Sequence, residues 1–348
     1  MDWIESIWVA IPALLVGFVF LVKGADWFVD GAAGIAEKLR VPTLIIGLTI
    51  VSFGTSAPEL ATSIISSAQG SGDIAIGNVL GSNITNILLI LGLAALICPL
   101  TVQKSTLKLD FPVLLGTSVL VLLLGGIDGK LGALDGWIMF ILSLAYMLFL
   151  IWYAVQESKK QPQISGLDTS HPIAVFEEGG EKQPTTRFGV WYEKMKEYGW
   201  FLIVITLVGL ALVVVGALLG VIPAAKVIAV ELGIPENVIG LTVVAIGTSL
   251  PELVTCVVAA KKGETDIAVG DIVGSNVFNV LRTLGLSAAI IPLTFSPSFV
   301  IDGIIALGAA AILAIFGYIK DHKVKRWGGI LMLACFVGYY VYLFATQL

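Results

Sequence analysis

Two acidic residues stand where an apolar chain tolerates them least. Glu59 ends the motif GTSAPE (54–59) inside a nearly uncharged run from Val41 to Ile65, and Glu252 ends GTSLPE (247–252). Ionisable groups at membrane depth are costly and point to function. Each glutamate follows a proline that lacks an N–H and clashes with the carbonyl four residues back, so Pro58 frees Gly54 and Pro251 frees Gly247. Freed carbonyls in lipid need a partner, and a bound cation is one. Thr55, Ser56, Thr248 and Ser249 add hydroxyl oxygens beside them. One carboxylate from each segment balances a divalent cation, and hard ions such as Ca2+ take about six to eight oxygens of these kinds. No thiolate or imidazole accompanies the pair, which disfavours zinc and copper.

A second motif follows each of the first, GNVLGSN (77–83) and GDIVGSN (270–276). Ser82 and Asn86 are four residues apart, as are Ser275 and Asn279, so each pair lies on one helical face and can add neutral oxygens. Interhelical hydrogen bonding by these side chains is the competing reading. Gly77, Gly81, Gly270 and Gly274 also fit small-residue helix contacts. Recurrence of the Ser and Asn residues beside both glutamates favours ligation.

The elements that carry these motifs form a duplication. GLTIVSFGTSAPEL (47–60) recurs at 240–253 with 10 of 14 positions identical, and the stretch 73–99 recurs at 266–292 with 15 of 27 identical, always at an offset of 193. Of the 348 residues 57% are hydrophobic and 13% charged, against about 25% charged in soluble domains. The chain is therefore read as an all-α integral membrane protein. At about 20 apolar residues per crossing, ten transmembrane helices are expected near 4–22, 42–69, 73–99, 110–127, 132–155, 199–221, 235–260, 266–292, 298–319 and 327–346. Residues 1–156 and 199–348 each hold five. An odd number makes the second copy enter the membrane from the opposite side, giving two inverted-topology repeats with a site near the midplane.

Seventeen of the 20 Lys and Arg residues fall after odd-numbered spans, only Lys130 and Lys226 fall on the other side, and Arg282 lies within a span. The excess of basic residues in cytoplasmic loops then puts both termini outside and the polar stretch 157–198 in the cytoplasm as a linker. The expected location is the cell membrane, crossed many times. The start, MDWIESIWVA, lacks a basic leader and reads as a retained first span. Cys98, Cys256 and Cys335 have no metal or redox spacing and read as buried thiols; His171 and His322 fall in polar connections. A net charge of −5 without a basic tract argues against nucleic acid. The partners expected are ions and the lipid bilayer, with no cofactor, no catalytic residue and no obligatory protein partner.

At GTSAPE with GSNITN and GTSLPE with GSNVFN, the chain resembles the cation/calcium exchanger superfamily, and within it the prokaryotic sodium/calcium exchangers. The resemblance covers both halves and leaves out the linker. It implies a Na+/Ca2+ antiporter in which Glu59 and Glu252 are central ligands shared by both ions. Thr55, Ser56, Thr248, Ser249, Ser82, Ser275, Asn86, Asn279 and the backbone carbonyls of Ser52 and Ala245 would complete the sites. It also implies several Na+ per Ca2+ and alternating access, with the first and sixth helices sliding across the core. Potassium-dependent relatives carry Asp at the position of Asn279, which disfavours K+ coupling here.

Two residues break both the repeat and the family pattern. Asp271 replaces the Asn found at Asn78, and one turn inside the end of its span it reads as a structural or vestibule residue at a helix N-terminus. Arg282 replaces the residue type found at Leu89 and shares a face with Ser275 and Asn279. Either its guanidinium reaches the site and weakens cation binding, or it forms a structural pair or snorkels outward. Ca2+/H+ exchange is the nearest rival function, since buried carboxylates can carry protons. GNxxE-type glutamates typical of proton-coupled relatives are absent. A cation channel or a non-transporting scaffold is the rival from another class, and paired carboxylates beside broken helices fit a scaffold poorly.

Overall fold

Helix accounts for every long element of the chain. The computed structural model describes residues 6–39, 41–68, 70, 72–160, 195–231, 245–319 and 321–347. In order, the helices are Ile7–Leu39, the bent pair Thr43–Thr55 and Ala57–Ala68, Gly72–Ile97, Thr106–Asp128 and Ala133–Lys160. Then come Gly199–Val215, which runs on through a π-helical turn into Ile222–Glu231, and the short Ala245–Thr248 with Leu250–Lys261. Thr265–Phe278 continues through another π-segment to Ile290, followed by Pro297–Tyr318 and Arg326–Gln347.

Seven described helices are long and apolar enough to cross a membrane, and the pair bent by 44° makes an eighth. Ten crossings were expected. One of the two others, 235–260, falls within the described residues only from 245 on, and most of the linker, 161–194, also lies outside them. The other, expected at 266–292, is a continuous helix that carries Asp266, Asp271 and Arg282. Every residue from Ile267 to Phe278 on it is buried, so protein surrounds this helix on all sides. It is the central post of the bundle rather than a lipid-facing span.

The first helix departs from expectation. It extends from Ile7 to Leu39, so Lys23 and Lys38 belong to it rather than to a connection. At 1.5 Å per residue it is about 50 Å long and outruns a hydrocarbon core of about 30 Å. Small residues explain its continuity. A Cβ on Gly24 would meet the Gly209 carbonyl at 2.7 Å, and one on Gly31 would meet Thr206 Oγ1 at 2.2 Å. Backbone thus packs directly on helix Gly199–Val215 at Gly24 and Gly31, and on the following turn Gly216–Val221 at Gly17, the close approach that small residues permit in membranes. Large apolar side chains on the opposite faces, such as Leu15, Leu148, Leu207, Ile304 and Val341, are exposed and form the lipid surface.

Two short antiparallel ladders tie connections together. Leu100–Thr101 pairs with Lys323–Val324, and Lys130–Leu131 pairs with Leu293–Thr294. The repeat offset of 193 exchanges the two ladders, since it carries 100–101 of the first onto 293–294 of the second and 130–131 of the second onto 323–324 of the first. The first joins connections expected after spans three and nine, and the second those after four and eight, so odd meets odd and even meets even.

Candidate functional site

Each glutamate sits in the first turn of a half-helix. The chain leaves the α-helical path at Ser56 (φ −81°, ψ 9°) and at its repeat mate Ser249 (φ −86°, ψ 7°), and a new helix starts one residue later. Pro58 and Pro251 occupy the starts of these new helices, where a missing N–H costs nothing. Glu59 and Glu252 follow at the N-terminal ends, where the helix dipole favours negative charge. Both are completely buried.

The two halves then exchange hydrogen bonds. Ser56 Oγ donates to Glu252 Oε1 at 3.0 Å, and Ser249 Oγ donates to Glu59 Oε1 at 3.4 Å. Thr248 Oγ1 donates to Asn78 Oδ1 at 3.3 Å, while its mate Thr55 donates to Asp271 Oδ1 at 3.1 Å. Ser249 Oγ also lies 3.3 Å from Ser82 Oγ. The two serine–glutamate bonds are related by the repeat offset of 193, and so are the two threonine bonds, as a local two-fold axis requires.

The axis itself passes between two asparagines the sequence reading passed over. Asn83 Nδ2 donates to the Asn276 carbonyl and Asn276 Nδ2 donates to the Asn83 carbonyl, both at 3.1 Å. Their side-chain oxygens receive Asn86 Nδ2 at 3.1 Å and Asn279 Nδ2 at 3.3 Å. Identity of GSN in both copies was the available signal. With its amide nitrogen held in this way, each expected ligand, Asn86 and Asn279, keeps an Oδ1 that has no hydrogen-bond partner. The same is true of Glu59 Oε2 and Glu252 Oε2. Four buried oxygens from the expected ligand set are thus left to coordinate something other than a protein N–H or O–H, which is the donor set a hard cation takes.

Thr55, Ser56, Ser82, Thr248, Ser249 and Ser275 are all buried around these groups, as is Ser52. The Ser52 carbonyl accepts the Ser56 N–H at 3.2 Å and retains a second lone pair. Ala245, 193 residues after Ser52, opens the short helix Ala245–Thr248 before Ser249. Both GSN helices pass into π-helical turns at the asparagines, Thr85–Leu91 and Asn279–Leu284. Such turns break the regular ladder and often mark functional sites. No local residue pattern announces them. Among the described residues no cluster of three or more His, Cys, Asp and Glu gathers at one point, so neutral oxygens make up most of the set.

Asp271 is not in a vestibule. It is fully buried, accepts from Thr55 as above and from Ser275 Oγ at 3.4 Å, and leaves Oδ2 unpartnered. Arg282 is also buried, yet it joins no carboxylate. Its guanidinium carbon lies 4.1 Å from the Phe53 ring centre and 5.2 Å from that of Phe278, and none of its three nitrogens has a hydrogen-bond partner. It is held by two aromatic faces, one of them on the residue just before GTSAPE.

A separate charged cluster lies at one end of the bundle, around a cavity of about 1260 Å3. Lys262 Nζ contacts Asp26 Oδ1 at 2.7 Å and Asp30 Oδ1 at 2.6 Å, Lys196 contacts Asp30 Oδ2 at 3.3 Å, and Lys38 donates to the Glu197 carbonyl at 2.5 Å. Burial first, then Asp266 and Asp30, hold the nearby Glu264 carboxyl above its usual range.

Comparison with known proteins agrees with the resemblance seen in the motifs. The family model described as "Sodium/calcium exchanger protein" matches residues 9–152 and 201–345. The sodium/calcium exchanger MaX1 of Methanosarcina acetivorans is 37% identical over 368 residues, covering 95% of this chain and 97% of that protein. The putative antiporter CaxA of Alkalimonas amylolytica is 35% identical over 344 residues, covering 97% and 99%. Among solved structures, the sodium-calcium exchanger NCX_Mj, soaked without Na+ and Ca2+, superposes with a TM-score of 0.78 at 30% identity, covering 97% of this chain and 100% of that one.

Proposed function

Since the chain belongs to the sodium/calcium exchanger family, we propose that it is a secondary antiporter exchanging Na+ for Ca2+ across the cell membrane by alternating access, in the direction of Ca2+ extrusion driven by the Na+ gradient. The reading rests above all on one observation. Glu59 and Glu252 are completely buried, each is hydrogen-bonded by a serine of the opposite half, and each keeps one oxygen that the protein does not satisfy. A charge of −2 surrounded by neutral oxygens suits a single Ca2+ or a smaller charge of Na+ ions at shared positions.

In this reading ten helices form two inverted repeats, 1–156 and 199–348, joined by a cytoplasmic linker at 157–198, with both termini outside. The crossed bonds between residues 193 apart support the inversion, and the matched parity of the two ladders supports the sidedness. Glu59 and Glu252 are the shared ligands. Thr55, Ser56, Ser82, Asn86, Thr248, Ser249, Ser275, Asn279 and the carbonyls of Ser52 and Ala245 complete the coordination. Conversion between inward and outward access is assigned to the first helix and its counterpart Gly199–Val215, which move against the core. The transported ions are the substrates, and the chain needs no cofactor and performs no covalent chemistry.

The deciding experiment is Ca2+ uptake into proteoliposomes loaded with Na+, beside vesicles loaded with K+ and vesicles holding only a pH gradient. Uptake in the Na+-loaded vesicles alone is expected. Uptake that follows the proton gradient and ignores Na+ would replace this reading with Ca2+/H+ exchange, and uptake without any counter-gradient would point to a channel.

A further inference from the structure

The hydrogen bonding of the two halves diverges most at one pair of positions, Asn78 and Asp271. In the first half Asn78 accepts from Thr248 through Oδ1 and uses its amide Nδ2 twice, donating to the Glu59 carbonyl at 3.3 Å and to Ser63 Oγ at 3.0 Å. In the second half the equivalents are Asp271, Thr55, Glu252 and Cys256. Asp271 Oδ1 accepts from Thr55 just as Asn78 does from Thr248. The donor is gone, however. Asp271 Oδ2 stands in place of Asn78 Nδ2, and it is buried without a partner. Cys256, in place of Ser63, spends its weak S–H 3.9 Å from the Ala268 carbonyl. Where the first half closes itself with an amide, the second half presents a carboxylate oxygen toward the place where symmetry puts the Glu252 carbonyl.

A buried carboxylate oxygen left without a donor calls for a positive group beside it. Resting on the exchange reading above, we infer that Asp271 creates an additional cation position, absent from the first half, formed with Thr55, Ser275 and the backbone oxygen of Glu252. One carboxylate with neutral oxygens suits a monovalent hard cation, and Na+ is the one the exchange supplies. Asp271 is then an ion ligand rather than a helix-end anion.

Arg282 accounts for how the site carries the extra charge. It lies eleven residues further along the same helix, a separation that returns to nearly the same face about 16 Å away. Asp271, Ser275, Asn279 and Arg282 thus form one stripe, with the acid at one end and the base at the other. Both end residues replace neutral ones, Asn78 and Leu89. Their formal charges cancel, so Glu59, Glu252, Asp271 and Arg282 together carry −2, as the two glutamates would alone. The second repeat has gained a cation position at one end and a fixed cation at the other.

The test is the coupling ratio of the full chain in proteoliposomes, from the reversal potential and the Hill coefficient for Na+, for the unsubstituted protein, Asp271→Asn, Asn78→Asp and the double exchange. Asp271→Asn restores the first half's own hydrogen-bonding group, and it is expected to lower the Na+ moved per Ca2+ by about one. Asn78→Asp alone is expected to raise it by about one, which provides a second reading should Asp271→Asn fold poorly. The double exchange should return it to the starting value. An unsubstituted exchanger whose ratio and Hill coefficient are the same in Asp271→Asn sinks the assignment. So does a variant in which only the pH dependence changes, because the positive group is then a proton. Absence of any Na+-driven Ca2+ flux in the unsubstituted protein is a different result and removes the exchange reading itself.

Discussion

Replacing Asn276 by Ala should weaken Ca2+ binding although Asn276 is not itself proposed to touch the ion. The substitution removes two hydrogen bonds, Asn276 Nδ2 to the Asn83 carbonyl and Asn86 Nδ2 to Asn276 Oδ1, both 3.1 Å. Interhelical bonds in membranes contribute about 0.6 kcal/mol each on average, and a buried amide left without a partner costs about 1–3 kcal/mol. The loss of stability is therefore about 2–4 kcal/mol. The second consequence concerns orientation. Asn86 Oδ1 is aimed by the bond on the other side of the same amide, and losing the partner that orients a metal ligand typically costs 10–100-fold in affinity. The two effects separate in a thermal-shift assay run with and without Ca2+. At a Ca2+ concentration 100 times the unsubstituted protein's Kd, binding stabilises by about 2.7 kcal/mol, and a tenfold weaker variant retains about 1.4 kcal/mol. Asn276→Ala should thus show a lower melting temperature without Ca2+ and roughly half the Ca2+-induced gain. Asn83→Ala, which removes the symmetry-related pair of bonds, should do the same through Asn279. A full Ca2+-induced gain in both variants would show that the asparagine crossing does not position the ligands.

Four further outcomes follow from the geometry. Glu59→Gln and Glu252→Gln should each abolish Ca2+ exchange while the proteins remain folded, since glutamine keeps the bond from the opposite serine; transport by either variant at the normal rate would remove the carboxylate pair from the site. Arg282→Leu should raise both Ca2+ affinity and thermal stability, because it deletes a buried cation that has two ring contacts and no hydrogen-bond partner among the described residues, and ring contacts of about 2 kcal/mol each offset only part of the cost of burying a charge; an unchanged affinity with higher stability would limit Arg282 to packing. Lys262→Ala should change turnover and its salt dependence with little effect on stability, at most about 1 kcal/mol for a partly exposed ion pair; salt-independent turnover in both proteins would show that the Lys262 pairs with Asp26 and Asp30 do not restrain the first helix. Gly209→Ala should stall transport, because a Cβ there comes within 2.5 Å of the Phe28 nitrogen and forces the two helices apart; normal exchange by that variant would show that their close approach is dispensable.

Much of this site could be read from the chain because a duplication provides its own control. A lone Pro–Glu in an apolar run is ambiguous, but GTSAPE and GTSLPE at a fixed offset identify the break, the charge and the hydroxyls together, and the break falls at Ser56 and Ser249 in both copies. What escaped the sequence has physical causes. Asn83 and Asn276 stood in plain view within GSN, yet their role depends on two helices crossing at the axis, which no spacing along one helix reveals. The π-turns at Asn86 and Asn279 arise from packing rather than from local preference. The expected first span, 4–22, follows from about 20 apolar residues per crossing, whereas the helix runs on through Lys23, Asp26 and Asp30, which share one side of it next to a glycine stripe. Asp271 reads as a structural or vestibule residue from its place one turn inside a span, but position along a span says nothing of burial on a central helix surrounded by others.

The distribution of bond types bears on which part of the molecule can move. The core around the glutamates is joined by directional hydrogen bonds between the two halves of the chain, at least six of them, and shifting any element there would orphan buried polar groups. The first helix meets helix Gly199–Val215 quite differently, through glycines and backbone that present no directional partner to lose. At its polar end it is held by lysine pairs that water can replace at small cost. A surface of that kind resists separation but not sliding, since contact area is kept while register changes. Thr206 marks where the sliding would meet resistance: its hydroxyl bonds the Leu202 carbonyl at 2.7 Å, and a Cβ on Gly31 would come within 2.2 Å of it. Motion of this pair of helices against a fixed, cross-bonded core is therefore the cheapest large rearrangement the packing permits, and it is the one the proposed exchange requires.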